Sequence, residues 1–106
     1  MVLVLEDDGC LHLYDSPAAV CVAIEGLDAE DTLRAVFDER GQRYAIEWVR
    51  PNRTGWLGLE NGAYRLVPAG APDVSGLLEL LSNTPVFPAH LQEVVDRIRV
   101  SLIAGD

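Results

Sequence analysis

Lysine is missing from this chain of 106 residues, and all eight basic side chains are arginine. With Ala, Gly, Val and Leu abundant, that bias reads as GC-rich bacterial coding rather than as chemistry. Cysteine is scarce too. Cys10 and Cys21 are too few for a disulfide framework, and no bridge between them is expected. No apolar run approaches the ~18 residues of a membrane span. The opening Val2-Leu3-Val4-Leu5 runs into Glu6-Asp7-Asp8, without the basic start and long apolar stretch of a secretory leader. The expectation is a cytoplasmic protein with no membrane contact.

The motifs of common chemistries are missing as well. There is no P-loop and no dinucleotide fingerprint. Ser75, in Val74-Ser75-Gly76, lacks the flanking glycine of a nucleophile elbow. Cys10 and His12 are spaced to share one face of a strand, and Cys21 could approach from a helix, but tetrahedral zinc takes four ligands and His90 is remote. Neither Glu6-Asp7-Asp8-Gly9 nor Asp28-Ala29-Glu30-Asp31 has the ligand spacing of a twelve-residue calcium loop. The expectation is no metal, no cofactor, no catalytic residues and no enzymatic activity.

What the chain does have is a lopsided charge. Residues 1–39 hold ten acids against the single base Arg34, and the remainder is balanced, so the whole net charge of −9 lies in the first third. Such a charge repels nucleic acid phosphates and steers toward a cationic partner. An acidic surface also serves solubility alone. The candidate contact residues are Asp7 and Asp8 in the first turn and Asp28, Glu30 and Asp31 in an expected loop before the third strand. Trp56 joins them, beside Arg50 and Arg53, because Trp and Arg are enriched at binding hot spots.

Hydrophobic content of 49% and charged content of 24% are those of a folded protein, and residues 1–106 make one domain. Asp7-Asp8-Gly9 predicts a hairpin of Val2–Glu6 with Cys10–Tyr14. Ser16-Pro17 predicts a capped helix over Pro17–Glu25, apolar nearly all round and ended by Gly26. A second hairpin is expected over residues 32–49, pairing Phe37 with Tyr44, Arg34 with Glu47 and Asp38 with Arg43. That register puts apolar residues on one face and opposite charges on the other. Asn61-Gly62 predicts a third, with Leu59 opposite Tyr64. Asp73 starts a short helix, and the stripe Leu91, Val94, Val95, Ile98, Leu102 predicts a longer one over Pro88–Ile103. The expected class is α+β, a single antiparallel sheet of about six strands with one helix after the first hairpin and two at the C-terminus.

The run Leu13-Tyr14-Asp15-Ser16-Pro17-Ala18-Ala19, then Ile24-Glu25-Gly26-Leu27-Asp28, then Val36-Phe37-Asp38-Glu39-Arg40-Gly41-Gln42 resembles small bacterial immunity proteins of polymorphic toxin systems. Glu60-Asn61-Gly62-Ala63-Tyr64-Arg65-Leu66-Val67-Pro68 is similar to their C-terminal hairpin. The resemblance implies a cytoplasmic protein that binds and blocks a cognate toxin domain. The acidic balance adds that this toxin would be basic, as nucleases are. The alternative is a small ligand-binding or regulatory module with an apolar pocket against its sheet. Oligomeric state is not legible.

Overall fold

Four consecutive apolar residues, Val2 to Leu5, suit a strand with both faces covered rather than one washed by solvent. A computed structural model, which describes residues 1–55 and 58–105, puts them there. Val2–Glu6 (β1) is the middle strand of a three-stranded antiparallel sheet, between Leu11–Tyr14 (β2) and Leu33–Asp38 (β3). Its even residues Val2 and Val4 join one core cluster with Val20, Ile24, Val36, Tyr64 and Leu66. Its odd residue Leu3 joins another with Leu11, Phe37, Leu77, Leu81, Val95 and Ile98. Full burial of each such leucine contributes about 1.5–3 kcal/mol. The first hairpin pairs Val2 with Tyr14 and Leu5 with Leu11, as the Asp-Gly turn predicts.

The helices divide between the faces. Pro17–Ala23 (α1) and Gly26–Thr32 (α2) follow the first hairpin, and Val74–Asn83 (α3) and Gln92–Ala104 (α4) close the chain. Both expected caps form: Ser16 Oγ accepts from the Ala19 N–H at 3.1 Å, and Asp73 Oδ1 accepts from the Gly76 N–H at 2.9 Å. The α1 helix is narrower in its contacts than its composition suggests. Val20 is buried, but Val22 stays exposed, so one face suffices. Gly26 opens α2 instead of ending α1 in a left-handed turn. The expected loop carrying Asp28, Glu30 and Asp31 is therefore a second helix.

The class is α+β, but the single six-stranded sheet is not formed. Tyr44–Arg50 (β4) pairs with Ala63–Pro68 (β7), and Arg53–Gly55 (β5) pairs with Gly58–Glu60 (β6). These two ladders run in almost one register, Tyr44 opposite Pro68 and Arg53 opposite Glu60, so residues 44–55 and 58–68 run as one long ribbon. Extended chain from Tyr44 to Gly55 spans roughly 40 Å, longer than either short axis of a molecule measuring 53 × 29 × 19 Å. The ribbon bulges at Trp48/Arg50 and is notched at Pro51-Asn52 and Asn61-Gly62.

Two registers read from the sequence are corrected here. The 32–49 hairpin does not zip, because each strand finds a partner that buries more. β3 pairs with β1, setting Val36 against Val4 and Phe37 against Leu3. β4 pairs with β7, stacking Trp48 near Tyr64 with ring centroids 5.6 Å apart and joining Glu47 to Arg65. Phe37 meets Arg43 in one isolated bridge, not Tyr44, and the Arg34–Glu47 and Asp38–Arg43 pairs are not made. Buried Phe37 and exposed Arg34 still fall on opposite sides, as the alternation requires. Asn61-Gly62, in turn, joins β6 to β7 at the notch, and Gly62 does not adopt a positive φ. Leu59 faces Thr54 across the ladder, not Tyr64.

Candidate functional site

The sheet register brings together acids that lie far apart in sequence. Glu6 ends β1 opposite Leu33, the first residue of β3, and α2 ends immediately before it. The β1–β2 turn with Asp7 and Asp8 and the C-terminal end of α2 with Asp31 thus share one end of the three-stranded sheet. Asp7, Asp8, Asp28, Glu30 and Asp31 are all exposed. Trp56 lies outside the described residues.

Two asparagine side chains hold α2 against the notch in the ribbon. Asn61 Oδ1 accepts from the Leu27 N–H at 2.9 Å, one of the donors a helix start leaves free, and its amide donates to Glu25 at 2.9 Å. Asn52 donates to the Gly26 carbonyl at 2.7 Å and accepts from the Gly62 N–H at 2.7 Å. Its amide also lies 3.4 Å from Glu30 Oε1. A seven-residue helix is too short to be stable alone. The amide contacts fix where the helix sits.

Beneath the turn sits a cluster that sequence reasoning missed. His12 Nε2 lies 2.8 Å from Asp8 Oδ2, and its Nδ1 lies 3.5 Å from Glu6 Oε2. Tyr14 donates to Glu6 at 2.7 Å, and Phe87 packs against the imidazole with centroids 5.6 Å apart. The signal was present: in the hairpin register, Glu6, His12 and Tyr14 lie at even positions of adjacent strands and share a face. The two carboxylates approach opposite edges of the ring, so they do not converge on one point. Among the described residues no group of three or more His, Cys, Asp or Glu is arranged for a metal. The cluster positions Asp8, whose carboxylate also accepts the Cys10 N–H at 2.9 Å.

Those two contacts, the backbone N–H first and His12 second, hold the Asp8 carboxyl below the usual carboxylate range. A depressed folded pKa adds stability above the unfolded value of 3.8, and that stability is lost as pH falls through the folded value. Asp8→Asn is therefore expected to flatten the acid limb of the stability curve. Urea unfolding across the range from about pH 5 to pH 2 checks this, and parallel curves for the two proteins would contradict it.

Cys10 and Cys21 are half-buried free thiols. Burial raises the pKa of Cys21, which packs on the first core cluster beside Tyr64. Burial, with the neighbouring Cys21, likewise pushes the Tyr64 phenol up to about 12, and its hydroxyl donates to the Ile24 carbonyl at 2.6 Å. Tyr64 and Ile24 thereby tie the ribbon to the end of α1. Against protein-family models, curated proteins and solved structures, the chain has no match. No helix is long and apolar enough to cross a membrane, among the described residues.

Proposed function

We propose that the protein is an inhibitor of the immunity type, which binds and neutralises a cognate, basic toxin domain in the cytoplasm and performs no catalysis. The observation that carries this reading is that the turn with Asp7 and Asp8 and the C-terminal end of α2 with Asp31 share one end of the sheet, on a turn and a helix that are each pinned by hydrogen bonds. A pinned turn and helix lose little main-chain freedom when a cationic surface arrives, and the field of their carboxylates speeds its approach. A nucleolytic toxin carries a basic cleft for phosphates, which a row of carboxylates can fill. The resemblance of the Leu13–Ala19, Ile24–Asp28, Val36–Gln42 and Glu60–Pro68 segments to immunity proteins supports the same assignment.

The alternative, a small-ligand module with an apolar pocket against the sheet, has less to support it. Both faces of the three-stranded sheet are taken by core side chains. A cleft of about 510 Å³ lies instead at the surface between α4 and the β3–β4 turn, with Glu39, Arg40 and Arg97 in its lining.

The test is capture from the lysate of the native host on the immobilised chain, followed by co-expression. The expected capture is a basic domain that arrests growth when expressed alone and is harmless when co-expressed with this protein. Toxicity unchanged by co-expression, or capture of no such domain, would overturn the proposal.

A further inference from the structure

The turn Asp38–Gln42 should deliver β4 alongside β3, yet the strands meet only at Phe37–Arg43 and then part. Between them lies an open cleft of about 220 Å³, flanked by Leu33, Arg34 and Val36 on one side and Arg43, Tyr44 and Ile46 on the other. β3 uses its other edge for β1, and β4 uses its other edge for β7. Each strand therefore turns a free main-chain edge, with alternating N–H and C=O groups, toward the same gap.

The charges in the gap are also left without partners. A closed hairpin would set Glu47 against Arg34 and Asp38 against Arg43. Glu47 is bound to Arg65 instead, and Asp38 Oδ1 accepts the N–H groups of Arg40 and Gln42 at 2.8 and 3.0 Å. Among the described residues neither Arg34 nor Arg43 forms an ion pair, and the Arg43 guanidinium lies over the Phe37 ring at 5.4 Å.

We infer that this gap receives an extended segment of a partner protein, with carboxylates on both of its faces among apolar side chains, which pairs with β3 and β4 at once, because Arg34 lies on the side opposite Phe37 and Arg43 on the same side as Phe37. Two facing main-chain edges call for a strand, since a helix keeps its main-chain groups for itself. The two arginines call for the carboxylates that the chain has used elsewhere. Because β3 and β4 run antiparallel, the guest lies parallel to one and antiparallel to the other, joining the three-stranded sheet to the ribbon. This surface adjoins the acidic end at Leu33 but uses none of its carboxylates, so either can fail without the other.

The probe is a capped peptide of about eight residues repeating Glu-Glu-Val-Val, which sets carboxylates on both faces of a strand, compared with its Lys/Val counterpart and with a version broken by a central proline. Hydrogen exchange of the free protein comes first, because amides 33–36 and 44–46 already uniformly protected would mean that the strands are closed. The Glu/Val peptide is expected to bind and to protect amides in both segments, and the proline version to bind poorly. Arg34→Glu with Arg43→Glu should weaken the Glu/Val peptide by about tenfold or more and favour the Lys/Val peptide. Both changes are exposed, and circular dichroism checks that the fold survives. Absence of binding at millimolar peptide, protection confined to other elements, or concentration-dependent dimerisation through amides 33–36 and 44–46 would each overturn the inference.

Discussion

Gly62→Ala is expected to destabilise the protein by about 1–3 kcal/mol, which for a domain of this size lowers Tm by roughly 5–15 °C. A Cβ at that position would collide with the Arg50 carbonyl oxygen and would lie 2.6 Å from Pro51 C and 2.7 Å from Asn52 N. All three are main-chain atoms, so no rotamer change relieves the contact. The notch must open, and with it go the Gly62 N–H bond to Asn52 and the seat of α2, since Gly26 faces the Gly62 carbonyl at only 2.8 Å from its own ideal Cβ. Hydrogen exchange at Leu27, whose N–H is held by Asn61, reports that loss directly. Gly70→Ala is the comparison: nothing lies within 4 Å of its Cβ, although its φ of +71° carries some strain of its own. A Gly62→Ala protein that melts with the wild type, or that melts early with Leu27 still protected, would show that the notch is not what seats the helix.

The same glycine shows where sequence reasoning reaches its limit. Asn-Gly between two apolar runs is a sound turn signal when only neighbours are considered. Here the glycine is required because two stretches of main chain cross, and the asparagine because a helix start needs an acceptor. Neither demand can be seen without knowing that residues 26 and 62 meet. Features settled by neighbours along the chain were legible. They include the Asp7-Asp8-Gly9 turn, the caps at Ser16 and Asp73, and the stripe Val94, Val95, Ile98 that packs α4 into the second core. Strand partnership was not, because β3 has two candidate neighbours of similar local merit. The 32–49 register satisfied pairwise rules on both faces, but β1 lets β3 bury Val36 and Phe37 on opposite sides. Covering both faces of a strand outweighs two surface charge pairs, each contributing about 1 kcal/mol or less.

The candidate site divides along the same line. Exposure of Asp7, Asp8, Asp28, Glu30 and Asp31 follows from their charge, since aspartate and glutamate are almost never fully buried. That Asp31 lies at the same end of the sheet as Asp7 and Asp8 does not follow from sequence. It depends on β3 pairing with β1 so that Leu33 stands beside Glu6. The polar cluster around His12 was obscured for another reason. His12 was weighed only beside Cys10 and Cys21 as a metal ligand and set aside, whereas strand alternation joins it to Glu6 and Tyr14.

Reversing Asp28, Glu30 and Asp31 to arginine should slow association with the captured toxin domain by about tenfold or more at low ionic strength. All three side chains are exposed, and none forms an ion pair among the described residues. The change therefore acts on the long-range field more than on internal contacts. Asp28 sits in the first turn of α2, where its charge favours the helix start, so arginine there also costs roughly 0.3–1 kcal/mol. Asp28→Asn with Glu30→Gln and Asp31→Asn removes the charges without inverting them, and separates steering from any loss of fold. In stopped-flow association, the wild-type rate should fall steeply as salt shortens the Debye length below ~10 Å. The neutral variant should show a shallower slope, and the reversed variant a flat or inverted one. Dissociation rates should move less, because steering acts before contact. Equal association rates and equal salt slopes for all three proteins would mean that the acids only keep the surface wet, and that the partner docks elsewhere.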